Sequence, residues 1–315
     1  MTPWLLSGLG LLILLLAGDS LVKGAVNLSL RLGVPALIVS LTIVAFGTSA
    51  PELLISVQAV LDGVPGLALG NVVGSNTANI LLVLGIPALL ATMHTSECDT
   101  RKTYIHMILA SVLFIGLAYR GVFDWIAALV LLGALALVLG DAFRDAYNHS
   151  TSECENPEED LEGVDPNLPM WRIFIFLGLG LVGLPLGASL LVENATVIAK
   201  EYGISDTVIG LTLVAIGTSL PELATTVMAA LRRQADVALG NVIGSNMFNL
   251  LAIIGVAAFV GPIPVDPEFM RFDFWVMLAA SFLLLPFVFF GWNITRAWGV
   301  VLSVLYIAYL VLLLA

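Results

Sequence analysis

Charged residues are scarce in this chain of 315 residues, since only 11% of it is Asp, Glu, Lys or Arg. Hydrophobic residues make up 59%, and the mean hydropathy of +1.04 lies far outside the range of soluble globular proteins. The sequence therefore predicts an integral membrane protein. The formal net charge of −11 does not indicate a nucleic-acid partner, because the acidic residues cluster in one loop.

Cysteine is also scarce, and no positively charged leader precedes the first apolar run. The two cysteines, Cys98 and Cys154, are far apart in polar connections, so no disulfide framework is predicted and both thiols are expected to be free. The N-terminal run lacks the basic start and the cleavage site of a signal peptide. We therefore expect it to be retained as a membrane span.

Apolar windows of about 20 residues, the length that crosses a hydrocarbon core, recur along the whole chain. They fall at 4–24, 35–61, 66–92, 103–120, 123–140, 170–192, 204–231, 236–262, 272–291 and 295–314. The predicted fold is an all-α integral membrane protein with ten transmembrane helices.

The ten predicted helices divide into two similar halves. Laying residues 42–81 over 212–251 needs no gap and gives 22 identities in 40 positions, which indicates a duplication. Five helices per half is an odd number, so the second half must be inserted upside down relative to the first, as in secondary transporters. We predict a first five-helix repeat at 1–140, an acidic linker at 141–169 and a second repeat at 170–315.

The distribution of Lys and Arg predicts the orientation in the membrane. Connections after odd-numbered helices contain nine of these residues, Lys23, Arg31, Arg101, Lys102, Arg144, Arg172, Arg232, Arg233 and Arg296. Connections after even-numbered helices contain three, Arg120, Lys200 and Arg271. We therefore expect the odd connections and the acidic linker to be cytoplasmic and both termini to lie outside.

Two polar hexapeptides interrupt apolar runs at matched positions, GTSAPE at 47–52 and GTSLPE at 217–222. Unpaired backbone groups are not tolerated in hydrocarbon, so a broken helix is expected only where protein or a polar cavity covers it. We interpret each glycine as permitting the turn, and Pro51 and Pro221 as starting the next half-helix. Carbonyls freed before each proline, with the adjacent Thr and Ser hydroxyls, would be hard oxygen ligands.

A glutamate ends each hexapeptide, Glu52 in the first and Glu222 in the second. Placing a charged side chain near the bilayer centre costs roughly 2.5–3.5 kcal/mol, and no Lys or Arg is predicted at either depth. If the inverted repeats bring the two half-helices face to face, the carboxylates share one cavity and a divalent cation neutralises both. Divalent ions, monovalent ions and protons are therefore expected to compete for this site.

The predicted third and eighth helices carry GNVVGSNTAN and GNVIGSNMFN, with small residues for close helix approach. Polar residues recur there at i, i+4 and i+8 on one face: Asn71, Ser75 and Asn79, and their copies Asn241, Ser245 and Asn249. Oxygen ligands without His or Cys favour Ca²⁺, Na⁺ or Mg²⁺ over Zn²⁺ or Cu⁺. Interhelical hydrogen bonding is the competing interpretation, most of all for Asn71, Asn241, Asn76 and Asn246.

The paired motifs GTS-x-PE and ALGNV-x-GSN-x-x-N resemble the two alpha-repeats of the cation/Ca²⁺ exchanger superfamily, most closely its prokaryotic sodium/calcium exchangers. The resemblance implies a secondary active antiporter that exchanges Ca²⁺ for Na⁺ by alternating access, with the first and sixth helices sliding as a gate. It implies an ion site with Glu52 and Glu222 as central carboxylates, Thr48, Ser49, Thr218 and Ser219 as hydroxyl ligands, Ala45 and Ala215 through backbone carbonyls, and Ser75, Ser245, Asn79 and Asn249 from the third and eighth helices.

Other functions stay open at this point. Some sodium/calcium exchangers have an Asp at one of the positions of Asn79 and Asn249, whereas this chain has amides at both, so a Ca²⁺/H⁺ exchanger is the alternative. A cation channel is less favoured, because channels arrange selectivity groups from several subunits around an axis. We expect no enzymatic activity, no cofactor beyond the transported ions, function as a monomer, and residence in the cell (inner) membrane.

Three further features have mainly structural interpretations. Asp19, Lys23 and Glu193 are expected to snorkel or pair at the interface. The acidic run at 153–165 lacks the spacing of an EF-hand loop and is expected to be a solvated linker. The string TSEC occurs twice near a histidine, so a soft-metal site is conceivable from His94, Cys98, His149 and Cys154.

Overall fold

The structure is a computed structural model that describes residues 2–95, 100–149, 165, 168–203 and 215–314. The first half contains helices α1 (Thr2–Leu32), α2 (Ala36–Thr48), α3 (Ala50–Leu61), α4 (Pro65–Leu90, with a turn at 82–84), α5 (Arg101–Ala118) and α6 (Trp125–His149). The second half contains α7 (Met170–Glu201), α8 (Ala215–Thr218), α9 (Leu220–Leu231), α10 (Ala235–Val260), α11 (Phe269–Phe289) and α12 (Arg296–Leu314). Two short strands are β1 (Val122–Phe123) and β2 (Ile263–Pro264).

The described helices account for nine of the ten predicted spans and for part of the tenth. In the described residues, eight helices are long and apolar enough to cross a membrane, and the bent pair α2 and α3 supplies a ninth span. The shorter apolar helix α9 forms the second part of the remaining predicted span, whose residues 204–214 lie outside the described part of the chain. The all-α membrane fold is therefore confirmed.

Helices α1 and α7 are longer than their predicted spans, with 31 and 32 residues. The sequence pattern predicted Lys23 in the connection after the first span. It lies instead inside α1. Its Nζ atom lies 3.0 Å from Asp19 Oδ2, one helical turn earlier, which confirms the expected pairing. Helix α6 likewise continues to His149, past the predicted end of the fifth span.

Two separate hydrophobic clusters stabilise the fold. The larger one joins α4, α5 and α6 to α10, α11 and α12, and the smaller one lies mainly between α1 and α7. Glycines allow α1 and α7 to touch: a Cβ on Gly10 would lie 2.7 Å from the Leu191 backbone nitrogen, and one on Gly180 would lie 2.5 Å from Leu21 Cβ. These are the same contact made twice, since Gly180 follows Gly10, and Leu191 follows Leu21, by 170 residues. Small residues are the usual means of close helix packing in membranes.

Backbone pairings between the halves show that the repeats are inverted. Phe123 in β1 pairs with Ile263 in β2, and Met93 forms a bridge with Ile294. Ile263 follows Met93 by the repeat offset of 170, so the two pairings are equivalent to each other: each joins the loop after the third span of one half to the loop after the fourth span of the other half. The chain crosses the membrane once, through α5, between Met93 and β1. The two pairings therefore lie at opposite faces, and so do the equivalent positions of the two halves.

Candidate ion-binding site

Both predicted helix breaks are present and have the same geometry. Ser49, between α2 and α3, has φ −85° and ψ 3°, and Ser219, between α8 and α9, has φ −88° and ψ 5°. The axes of α2 and α3 differ by 43°. Pro51 and Pro221 lie in the first turns of α3 and α9, as predicted, where the missing N–H has no helical partner to lose.

The glycines of the two hexapeptides do not make the turns, and that part of the prediction is wrong. Gly47 lies inside α2 and Gly217 inside α8, and neither has a positive φ. A Cβ on Gly47 would meet Leu181 Cδ2, and one on Gly217 would lie 2.5 Å from Val192 Cγ2. Both neighbours belong to α7. The two glycines therefore leave room for side chains of α7 to pack against both breaks, while the serine two residues later makes each turn.

Glu52 and Glu222 lie in the first turns of α3 and α9, where the helix N-terminus favours a negative charge. Their side chains are only 1% and 0% exposed, and the two carboxylates are close enough to interact electrostatically. No ion pair to either glutamate occurs in the described part of the chain. Both carboxylate oxygens of Glu52 and Oε2 of Glu222 have no hydrogen-bond partner. The structure thus brings two acidic groups together and leaves three of their oxygens unpaired.

Hydroxyl groups of one half reach the carboxylate and amide groups of the other. Ser49 Oγ donates to Glu222 Oε1 at 3.3 Å. Thr48 Oγ1 donates to Asn241 Oδ1 at 3.2 Å and lies 3.4 Å from Ser245 Oγ. These bonds place the first break against α9 and α10.

The remaining predicted hydroxyl ligands lie in the same region of the fold. Ser219 Oγ is buried without a partner, and Ser75 is buried on α4. Thr218 is the last residue of α8.

The breaks release fewer carbonyls than the sequence suggested. The Ala45 carbonyl accepts the Ser49 N–H at 3.0 Å, so it keeps its helical bond, and it lies 3.3 Å from the Thr48 hydroxyl oxygen. In the second half, the Ser219 N–H donates to the Ile216 carbonyl at 3.0 Å. Helix α8 ends at Thr218 as α2 ends at Thr48, so the two breaks share the same backbone form.

Asn71 and its copy Asn241 connect neighbouring helices, as the competing interpretation for them predicted. Asn71 Nδ2 donates to the Glu52 carbonyl at 3.3 Å and to Ser56 Oγ at 3.1 Å. Asn241 makes the two corresponding bonds to α9 at the same distances. Each amide therefore fixes the helical turn that carries a glutamate.

Four asparagines meet where α4 and α10 pack together. Asn79 Nδ2 donates to Asn246 Oδ1 at 3.0 Å, and Asn249 Nδ2 donates to Asn76 Oδ1 at 2.9 Å. The Oδ1 atoms of Asn79 and Asn249 are buried and have no partner. Sequence reasoning gave little weight to Asn76 and Asn246, although both belong to the duplicated GSN motif that pointed to this region.

Among the predicted ligand residues, the buried side-chain atoms without a partner are all oxygens, which can coordinate a cation. They are Glu52 Oε1 and Oε2, Glu222 Oε2, Ser219 Oγ, Asn79 Oδ1 and Asn249 Oδ1. A buried acceptor without a partner costs about 1–3 kcal/mol, so a group of them together with two carboxylates calls for positive charge. Among the described residues no group of three His, Cys, Asp or Glu side chains could hold a metal. Because these donors are carboxylate, hydroxyl and amide oxygens, the set fits a hard cation such as Ca²⁺ or Na⁺.

Features outside this region agree with their structural interpretations where the chain is described. Asp19 pairs with Arg232 as well as with Lys23, and Ser189 Oγ donates to Glu193 Oε1 at 2.7 Å. The acidic run at 153–164, and the conceivable soft-metal site through Cys98, Cys154 and the His149 side chain, lie outside the described residues.

Comparison with known proteins gives consistent matches over nearly the whole chain. The sequence matches the profile of the sodium/calcium exchanger protein family over residues 2–140 and 172–315. It is 35% identical to the sodium/calcium exchanger MaX1 of Methanosarcina acetivorans, with 97% of this chain and 96% of that protein covered. It is 36% identical to the inner membrane protein YrbG of Escherichia coli, with 87% and 85% covered.

A solved structure of the sodium-calcium exchanger NCX_Mj, soaked with zero Na⁺ and Ca²⁺, superposes with a TM-score of 0.83 at 32% identity. That match covers 99% of this chain and 98% of the other. NCX_Mj soaked with 2.5 mM Na⁺ and 0.1 mM Ca²⁺ gives a TM-score of 0.82 at 31% identity, covering 98% and 97%.

Proposed function

The chain belongs to the sodium/calcium exchanger protein family, and we propose that its ion site is built around Glu52 and Glu222. The protein is a multi-pass inner-membrane antiporter that exchanges Ca²⁺ for Na⁺. Ca²⁺/H⁺ exchange, the alternative from the sequence, is not favoured by this membership. A cation channel is not favoured either, because one chain supplies both halves of the site.

The observation that supports this site is the pair of buried carboxylates, of whose four oxygens three have no hydrogen-bond partner. The proposed ligands are Glu52, Glu222, Thr48, Ser49, Thr218, Ser219, Ser75, Ser245, Asn79 and Asn249, with the carbonyls of Ala45 and Ala215. They come from α2, α3, α4, α8, α9 and α10, so neither half forms the site alone.

Two carboxylates without a basic partner explain why Ca²⁺ and Na⁺ would not occupy the site at the same time. One Ca²⁺ neutralises both charges, and Na⁺ ions do so in smaller steps, so the two cations compete for the same oxygens. Exchange of one for the other requires no chemical bond to be made or broken. The protein accordingly needs no resident cofactor and no catalytic residue, and a monomer contains the whole pathway.

The orientation follows from the Lys and Arg distribution. Both termini lie outside and the linker at 141–169 is cytoplasmic, between a first repeat at 1–140 and a second at 170–315. Helix α9 then leads from the site toward the cytoplasm, and α3 leads toward the outside. Helices α1 and α7, held together by their own hydrophobic cluster, are the elements that move to uncover one route or the other.

The test is a transport assay on the purified protein in lipid vesicles. Vesicles loaded with Na⁺ are diluted into Na⁺-free buffer that contains radiolabelled Ca²⁺, and Ca²⁺ uptake should greatly exceed that of vesicles loaded with choline. A matched pH gradient without Na⁺ should drive no comparable uptake. Equal uptake with Na⁺ and choline would overturn the proposal, and single-channel currents in a planar bilayer would replace it with a channel.

A further inference from the structure

The four asparagines between α4 and α10 form a closed set of hydrogen bonds with two-fold symmetry. Asn76 Nδ2 donates to the Asn246 main-chain carbonyl at 3.1 Å, and Asn246 Nδ2 donates to the Asn76 main-chain carbonyl at 3.3 Å. The Oδ1 atoms of the same two side chains accept from Asn249 and Asn79. All four residues are at most 1% exposed, so bulk solvent does not compete for these hydrogen bonds.

This arrangement fixes the direction of the Oδ1 and Nδ2 atoms in each of the four side-chain amides. A main-chain carbonyl can only accept, so the nitrogens of Asn76 and Asn246 must face the carbonyls that they contact. Their Oδ1 atoms therefore face Asn249 and Asn79, which must present nitrogen in return. The Oδ1 atoms of Asn79 and Asn249 are then left pointing away from the set, and both are buried without a partner.

From this network we infer that Asn76 and Asn246 are positioning residues, which turn the carbonyl oxygens of Asn249 and Asn79 toward the transported cation. The inference rests on the proposed function for the identity of that cation. Without the two positioning side chains, each ligand amide could rotate and present Nδ2, a donor that repels a cation. Oxygen presentation is thus built into the fold before any ion arrives, which lowers the cost of binding.

The contacts also predict which positioning residue orients which ligand residue. The Asn246 side chain contacts the Asn79 side chain, and the Asn76 side chain contacts the Asn249 side chain. The pairs on one helix, Asn76 with Asn79 and Asn246 with Asn249, share no side-chain hydrogen bond in this set. A double-mutant cycle can distinguish these two kinds of pair.

The experiment measures the Ca²⁺ concentration that gives half-maximal Na⁺-dependent uptake in vesicles. Asn79→Ala and Asn246→Ala should each raise it by about tenfold, and the double variant should be no worse than Asn79→Ala alone. The matched control is Asn76→Ala combined with Asn79→Ala, for which the two increases should multiply. The maximal rate should change much less than the half-maximal concentration, because the side chain acts on ion binding.

A second readout does not depend on transport. Ca²⁺ should raise the thermal unfolding midpoint of the wild-type protein in detergent, and the size of this rise should follow the same pattern across the variants. If Asn246→Ala does not fold, Asn246→Ser takes its place, since it removes the amide and keeps a small polar group. If wild-type protein shows no Na⁺-dependent uptake but is still stabilised by Ca²⁺, the proposed function fails while the positioning roles are decided by this second measurement.

Three results would overturn the inference. Asn246→Ala could leave the half-maximal concentration unchanged, the effects of Asn79→Ala and Asn246→Ala could multiply, or both kinds of pair could be equally coupled. The first would mean that Asn79 holds its orientation unaided. The other two would mean that the four asparagines only hold α4 and α10 together.

Discussion

The two halves of the chain agree closely around the ion site and differ along the helices that flank it. Asn71 and Asn241 make the same two bonds at the same distances, and the four asparagines between α4 and α10 form a symmetric set. At the flank, Asp19 of α1 pairs with Arg232 at the end of α9. The corresponding position on α7 is Ser189, and Asp62 corresponds to Arg232, so no such ion pair can form there.

The packing of the flanking helices also differs between the two halves. Helix α1 lies against α9, where a Cβ on Gly18 would lie 2.9 Å from the Ala224 carbonyl oxygen, and Ala224 is only 6% exposed. Its copy on α3, Leu54, is 71% exposed. A carrier needs one binding site that both halves share and gating helices that take two different positions. The site therefore keeps the symmetry of the duplication, whereas the gating helices α1 and α7 are in one of their two positions.

The strongest test of the symmetric part removes either carboxylate. Glu52→Gln and Glu222→Gln should each lower Na⁺-dependent Ca²⁺ uptake by at least about 100-fold, since breaking a buried ionic interaction costs on the order of 3–5 kcal/mol. The matched control is Glu193→Gln, whose carboxylate is bonded to an exposed serine and should be dispensable. Normal uptake in either site variant would show that the two halves do not share one site.

The contact between α1 and α7 should be equally sensitive from both sides. Gly10→Ala and Gly180→Ala each force a methyl group into the opposite helix, which should destabilise the protein by about 1–3 kcal/mol and slow exchange. Gly8→Ala is the control, because a Cβ there has no atom within 4 Å. The thermal unfolding midpoint measures the effect. A Gly10→Ala protein as stable as Gly8→Ala would contradict the close packing.

Asn71 and Asn241, whose amides hold the turns that carry the glutamates, should contribute different amounts to the free energy of unfolding. Asn241 is fully buried and also accepts the Thr48 hydroxyl, whereas Asn71 is only half-buried. Asn241→Ala should therefore lower the free energy of unfolding by about 1 kcal/mol more than Asn71→Ala, the net value of one hydrogen bond. Denaturation of both variants, with Ca²⁺ uptake measured in parallel, checks this order. Equal losses would mean that the bond between the halves contributes nothing.

The smallest expected effect concerns the asymmetric ion pair. Asp19→Asn or Arg232→Gln should change stability by about 1 kcal/mol or less, because the pair is only partly buried. The exchange rate should change as α1 is released from α9, with the half-maximal Ca²⁺ concentration within about twofold of wild type.

The charge-swapped double variant Asp19→Arg/Arg232→Asp should recover the wild-type rate. Ser189→Ala, at the equivalent place on α7, should have no effect. Failure of the swap to restore the rate would assign the change to one side chain and not to the pair.

Much of this architecture could be predicted from residue patterns alone. Apolar windows and the repeat offset predicted the span count and the inversion, because a span needs a fixed length of apolar chain and an odd number of spans reverses direction. Pro51 and Pro221 located both helix breaks, since proline removes an N–H wherever it stands. The carboxylates were evident because an unpaired acid in a membrane span requires a compensating partner.

The sequence by itself determined the ten spans, the duplicated breaks and an oxygen-only donor set, because each depends on local composition or spacing. Only the tertiary structure decided what Gly47 does, since its role depends on how closely α7 approaches. It also decided the direction in which the Asn79 and Asn249 amides point, because that depends on main-chain carbonyls of the opposite half. Contacts between segments about 170 residues apart leave no periodic signal in a sequence, so orientation and asymmetry appear only once the chain is folded.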